Sequence, residues 1–263
     1  MPVLVEAKFE LPTYVTDWCN SYGNYEDNKG LGKSLTTTIP STVHSVRLED
    51  GSYYEGQLND KNQRHGRGSC LFKNKDYFDG YFKDDKPHIV GRFVYARGEL
   101  YEGLIENGNP EGKGVLIGEN EYQYVGNWHK GQKEGNGREE LPGQFVYEGT
   151  FEKGKHHGYG ELMLEGGMRY KGNFKNGKFS GEGEFCWPSG ANYKGDWLMG
   201  KKQGEGKYKY EDGRLYEGDF YDDLPDGFGT LTDKDNNLIS GFWAKGEPMN
   251  ATTKLLSANK ACS

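Results

Sequence analysis

Long apolar runs are missing from this chain. No stretch approaches the roughly 18 apolar residues of a membrane-spanning helix. The opening Met-Pro-Val-Leu-Val-Glu-Ala-Lys-Phe-Glu lacks the basic region and apolar stretch of a signal peptide. Cysteine is scarce: Cys19, Cys70, Cys186 and Cys262 show no CxxC and no metal-ligand spacing. Such thin usage argues against a disulfide framework or a zinc site. Together these absences point to an intracellular, reducing location. Hydrophobic residues make up only 33% of the 263, which excludes a thick aliphatic core. So low a content also accompanies disorder. Here, however, 14% aromatics and 41 glycines recur periodically, and periodic rings mean order. The net charge of −7 disfavours nucleic acid as a partner.

What is present is a 23-residue beat. Tyr101, Tyr124, Tyr147, Tyr170, Tyr193 and Tyr216 fall at equal steps, with Phe78 and Ile239 on the flanking beats. Tyr54 opens the series 24 residues before Phe78, so the first unit holds one extra residue. Behind most beats comes one frame: a ring, any residue, Gly, any residue, a ring or aliphatic, a turn, then Gly-x-Gly. Its positions are Tyr54-Gly56, Phe78-Gly80, Tyr101-Gly103, Tyr124-Gly126-Trp128, Tyr147-Gly149-Phe151, Tyr170-Gly172-Phe174, Tyr193-Gly195-Trp197 and Tyr216-Gly218-Phe220. A fixed period of this length means a stacked repeat array.

Within one unit the period is two. Tyr193, Gly195 and Trp197 alternate with Lys194 and Asp196, and Gly204, Gly206 and Tyr208 with Glu205, Lys207 and Lys209. This is the strand signature. Met199-Gly200 between the two runs reads as a tight turn. Each unit is therefore a β-hairpin and the chain an antiparallel meander. Glycine normally weakens a strand; beside a ring it lets the ring lie over bare backbone. Eight hairpins at about 4.8 Å per strand predict a twisted sheet about 75–80 Å long.

Tyr-Glu-Gly-x-Phe followed by Gly-x-Gly resembles the MORN repeat, and eight copies stand in register with a partial ninth at Ile239-Ser240-Gly241-Phe242-Trp243. The expected fold is all-β: an elongated, single-layer, antiparallel β-meander of eight to nine hairpins. Residues 1–45 form a non-repeat segment, 46–247 the array and 248–263 a tail. The end segments are expected to cover sheet edges or dock a partner. Tyr22, Tyr25 and Gly30-Leu31-Gly32 hint at an eroded copy. Irregular copies sit towards the ends. Leu58 replaces a ring, and Asp222-Asp223-Leu224-Pro225 replaces a turn glycine. Gly91-Arg92-Phe93 reads as a lost second glycine, with Pro87 added in the turn.

Motifs for chemistry are not found. Gly32-Lys33-Ser34 ends like a phosphate-binding loop, but Asp27 stands where its first glycine belongs. His65, His156 and His157 read as turn residues rather than metal ligands. There is no Gly-x-Ser-x-Gly and no His-Glu-x-x-His. Cys70 reads as a small buried filler at a ring position, and Cys186, on the polar face, as a candidate reactive thiol. No catalytic residue, cofactor or metal is expected, and the protein is read as no enzyme.

Binding remains. A single-layer sheet that left its rings open would offer a large apolar patch, the mark of an interaction surface. Residues 170–210 carry eight lysines against four acids, and 211–249 three basic residues against ten acids. The resemblance implies a non-enzymatic scaffold, since short chains made almost wholly of this repeat look like radial spoke head components of the axoneme in cilia and flagella, or like cytoskeletal scaffolds. Expected partners are radial spoke head subunits or other cytoskeletal proteins, and a second copy through sheet edges. The alternative is a peripheral membrane adaptor. It would use Lys171, Lys194, Lys207 and Lys209, which alternation places opposite the rings, together with Lys175, Lys178, Lys201 and Lys202, to contact anionic headgroups.

Overall fold

Alternation of rings and glycines with polar residues produces strands throughout. The computed structural model describes residues 43–249 and 252–254; the suspected eroded copy within 1–42 lies outside them. The chain divides into two units, residues 1–141 and 142–263. Unit 1 runs β1 (His44–Arg47), β2 (Tyr53–Leu58), β3 (Arg64–Leu71), β4 (Tyr77–Lys83), β5 (Lys86–Val94), β6 (Leu100–Glu106), β7 (Asn109–Ile117), β8 (Gln123–His129) and β9 (Gln132–Leu141). Unit 2 runs β10 (Phe145–Glu152), β11 (Lys155–Leu164), β12 (Arg169–Lys175), β13 (Lys178–Cys186), β14 (Asn192–Leu198), β15 (Lys201–Lys209), β16 (Leu215–Tyr221), β17 (Leu224–Thr232), β18 (Leu238–Ala244), β19 (Glu247–Pro248) and β20 (Thr252–Lys254). Each unit is an open antiparallel meander in which successive strands pair, as the sequence predicts. The array starts at His44, where β1 pairs with β2, two residues before the expected boundary. At the other end β19 and β20 both pair with β18, so part of the tail covers that edge.

Paired glycines build all eight hairpins and a bulge glycine all but one. In the fifth, Gly149 lies opposite Gly160, and Gly160 opposite Gly172 in the next. A Cβ on Gly160 would stand 2.7 Å from Cε2 and Cζ of Tyr147. The ring thus rests on the glycine pair, and no side chain fits beneath it. Gly158 has a different task. The register slips between Gly149 and Phe151, and Gly158 turns the resulting bulge at φ +62. The expectation of a lost second glycine in the second copy is corrected here. Gly91 is that second glycine, paired with Gly80 under Phe78. It is the bulge glycine that is missing, and Ile89 fills its place at φ +67, a region hostile to a β-branched residue. The extra residue of the first copy lies in the turn between Leu58 and Arg64.

The core is the ring ladder. Tyr54, Tyr101, Tyr124, Tyr147, Tyr170, Tyr193 and Tyr216 are fully buried, as is Phe78. In unit 2 each tyrosine meets two rings edge-on: Tyr170 meets Phe174 at 5.1 Å and Trp197 at 5.5 Å, and Tyr193 meets Trp197 at 5.1 Å and Phe220 at 5.0 Å. Such edge-to-face pairs add about 0.5–1.5 kcal/mol each beyond area burial. Trp243 of the partial ninth copy closes the ladder on Tyr216 at 5.1 Å. Tyrosine rather than phenylalanine is used because its hydroxyl donates to the carbonyl of the residue three further on. Tyr147 bonds Thr150 O at 2.9 Å, Tyr170 bonds Asn173 O at 2.9 Å and Tyr193 bonds Asp196 O at 2.9 Å.

One position of the frame escaped sequence reading. Arg64, Pro87, Pro110, Lys133, His156, Phe179, Lys202 and Pro225 recur every 23 residues, each opposite the hydrophobic residue that closes the first strand. In two copies this residue visibly lids the ring: His156 stacks on Tyr147 at 3.6 Å and Phe179 on Tyr170 at 3.8 Å. Pro87 and His156 are therefore not turn residues. Chemistry so varied hides the position in the sequence; only the period betrays it.

Candidate docking face

The ring face is closed. The repeat tyrosines leave no exposed area, and Trp128, Phe151, Phe174, Trp197 and Phe220 are buried with them. The expectation that rings on a single layer stand open as a docking patch is corrected. Glycine pairs below and neighbouring rings beside each tyrosine cover the face without a second layer.

The opposite face of unit 2 is open. It forms a trough of about 1030 Å³ across β11–β17. Its side-chain lining includes Lys171, Lys194 and Lys207 against Glu182, Glu184, Asp196, Glu205, Glu217 and Asp219. Strand register sets these charges in two rows. In the first, Glu161 faces Lys171, Lys171 faces Glu184, Glu184 faces Lys194, Lys194 faces Lys207 and Lys207 faces Glu217. Lys207 forms an ion pair with Glu217, and Lys171 lies 3.9 Å from Glu161. In the second row Glu182 faces Asp196 and Glu205 faces Asp219. Asp219 Oδ2 accepts a hydrogen bond from the Phe228 amide at 2.9 Å. Exposed rings flank this row: Tyr159 at one end and, at the other, Phe228, which is 69% exposed and meets Phe242 edge-on at 5.5 Å.

Three of the four lysines singled out from sequence thus share the trough, while Lys209 sits outside its lining, facing Asn192 and Leu215 across the strands. Of the others, Lys201 pairs with Asp222, whose carboxylate holds its ammonium above the ordinary range. Lys202 lies over the rings of Trp187, Tyr193, Tyr208 and Phe220 at 4.5–5.9 Å, and burial pulls its ammonium down. The pairing of acids with lysines and with one another was the missed feature. Alternation alone does not say which acid of one strand meets which lysine of the next.

Both cysteines among the described residues have thiols pushed above the ordinary range. Cys70 is fully buried as expected, and burial pushes its thiol up to about 11. Cys186 lies on the polar face as expected, but burial and Glu184 push its thiol up too, against the reactive reading. Among the described residues no group of His, Cys, Asp and Glu has the geometry of a metal site, and no helix is long and apolar enough to cross a membrane.

Among solved structures the chain is similar to the TCP10 domain of Danio rerio CPAP in complex with a peptide of Danio rerio STIL, at 16% identity and a TM-score of 0.47 over 82% of this chain and 97% of that one. It is also similar to the TCP domain of Drosophila melanogaster dCPAP in complex with a proline-rich motif of dSTIL, at 13% identity and a TM-score of 0.28 over 79% of this chain and 96% of that one. No curated protein sequence matches the chain. The MORN repeat profile matches eight segments, 54–77, 78–99, 101–121, 124–144, 147–169, 170–191, 193–213 and 216–238. They cover more than half of the sequence and coincide with the eight ring-bearing hairpins, so the chain belongs to the MORN repeat family.

Proposed function

We propose that this protein is a non-enzymatic scaffold that docks partner polypeptides, and that the trough of unit 2 is a docking surface. The observation that carries this reading is the asymmetry of the sheet. One face is sealed by its own rings, while the other holds an open trough of about 1030 Å³ with exposed aromatics at its ends. Repeats of this family are generally non-catalytic, and stacked arrays characteristically present extended binding surfaces. We infer a role in the axoneme of a cilium or flagellum, as a radial spoke head component, because an array of this repeat resembles such subunits. A second copy joining at a sheet edge belongs to the same proposal, since an unpaired edge offers a row of backbone donors and acceptors.

The membrane alternative draws support from the lysines, but on the same face Glu184 sits between Lys171 and Lys194, and Glu217 faces Lys207. Extraction of source cells with non-ionic detergent, followed by mass spectrometry, tests the proposal. The scaffold is expected in the insoluble cytoskeletal pellet with other spoke-head proteins. Departure with the membrane fraction would refute the axonemal placement.

A further inference from the structure

The sequence draws attention to the lysines of residues 170–210; the structure shows a face that is acidic in sum. The trough carries six carboxylates and three lysines, and two of those lysines already lie within ion-pair distance of a carboxylate, Lys207 with Glu217 and Lys171 with Glu161. In the second row acid stands directly opposite acid, Glu182 against Asp196 and Glu205 against Asp219. None of these four has a cationic partner within ion-pair distance among the described residues. Like charges directly opposite each other destabilise a sheet. The array thus holds two repulsive pairs in the middle of an open face, where Lys or Thr opposite each acid would have relieved them.

We propose that this face docks a cationic polypeptide: an extended lysine- or arginine-rich segment whose charges neutralise the Glu182–Asp196 and Glu205–Asp219 pairs, with an apolar side chain seated on Phe228 and Phe242. The inference rests on the scaffold reading above and adds the chemistry of the partner. Charge complementarity decides the occupant, since a lining of six carboxylates against three lysines attracts a cationic segment and repels an anionic surface. Size agrees as well. From Tyr159 on β11 to Phe228 on β17 there are six strand spacings, about 29 Å, the reach of roughly nine extended residues.

The test uses the full chain and fluorescence anisotropy with a fluorescein-labelled nonapeptide of alternating lysine and alanine ending in leucine. The same peptide with glutamate for lysine, and vesicles of equimolar phosphatidylcholine and phosphatidylserine, serve as competitors. The lysine peptide is expected to bind, and the double variant Glu182→Gln/Glu205→Gln to weaken it about tenfold. Lys194→Gln should tighten binding about threefold. Raising salt from about 50 to about 300 mM should weaken it several-fold. The Gln variant should melt no lower than the parent, because a repulsive pair is relieved, and this separates lost binding from lost fold. An unchanged affinity in that variant overturns the proposal, as does equal binding of the glutamate peptide or vesicle binding that Lys194→Gln abolishes. Failure of the underlying reading looks different. If the parent chain co-sediments with partners and the Gln variant keeps them all, the cationic chemistry is wrong and the scaffold stands; if the parent holds no partner, the scaffold itself falls.

Discussion

In unit 1 the face away from the rings carries Tyr81, Val90, Leu104, Val115 and Val125 around an ion pair, Arg92 to Glu102 at 2.7 Å, whose side chains are 5% and 12% exposed. In unit 2 the same repeat positions hold Asp196, Glu205, Asp219, Glu184 and Lys194, all exposed or half-buried. The ring side of both units is built alike, from the same glycine pairs and, Phe78 apart, the same tyrosines. The comparison teaches where the repeat is free to vary. Positions under and around the ring are fixed by contact with backbone. Positions on the other face touch only their cross-strand neighbours, so their chemistry is available for binding.

The largest effect should come from attacking what the units share. Gly183→Ala puts a Cβ 2.6 Å from Cζ of Tyr170. It should cost more than about 3 kcal/mol, read as a lowered urea midpoint, and Gly91→Ala beneath Phe78 should do the same in unit 1. Next comes the difference between the open faces. Arg92→Met strands Glu102, whose side chain is 12% exposed, and should cost about 3 kcal/mol. Breaking the exposed Lys207–Glu217 pair by Lys207→Gln should cost under about 1 kcal/mol. Equal losses would show that burial of the unit 1 pair does not distinguish the two faces.

Smaller substitutions sharpen the contrast between regular and irregular copies. Tyr193→Phe removes the bond to Asp196 O and should cost about 1 kcal/mol, whereas Phe78→Tyr should gain up to about 1 kcal/mol by restoring the hydroxyl its copy lacks. Ile89→Gly should stabilise unit 1 by about 1 kcal/mol by relieving the left-handed backbone, and Gly158→Ile should destabilise unit 2 by at least that much. Calorimetric melting of the four variants checks both pairs.

The subtlest test compares two lid lysines. Lys133 in unit 1 is paired with Glu139, while Lys202 in unit 2 lies over rings with Asp223 as a more distant charge. Burial holds the folded pKa of Lys202 below its ordinary 10.5. A lysine lowered in this way binds fewer protons folded than unfolded, so its penalty is full at neutral pH and fades as pH rises through the folded value towards 10.5. Lys202→Met should therefore compare best with the parent near pH 7 and lose ground by pH 10. Lys133→Met should be destabilising near neutral pH because it strands Glu139. Melting curves across this range, kept below the titration of the buried tyrosines, decide it.

Much of this architecture was legible in the residues. The 23-residue beat located every hairpin, and Tyr-x-Gly with Gly-x-Gly named the rings and the backbone beneath them. Period-two alternation also put Lys171, Lys194 and Lys207 on the face away from the rings. These features are local, repeated and forced by sterics, since a ring over a strand tolerates only glycine. Two readings failed because they needed neighbours that lie far apart in sequence. The ring face looked open until the edge-on packing of Tyr170 against Trp197 showed each ring covered by the next hairpin. The lysine face looked basic until register set Glu182 opposite Asp196 and Glu205 opposite Asp219. Sequence by itself determined the repeat, the hairpin and the side each residue takes, because those follow from spacing along one chain. Only the tertiary structure decided which face is sealed and what charge the open one presents, because burial and cross-strand pairing depend on which strands stand side by side.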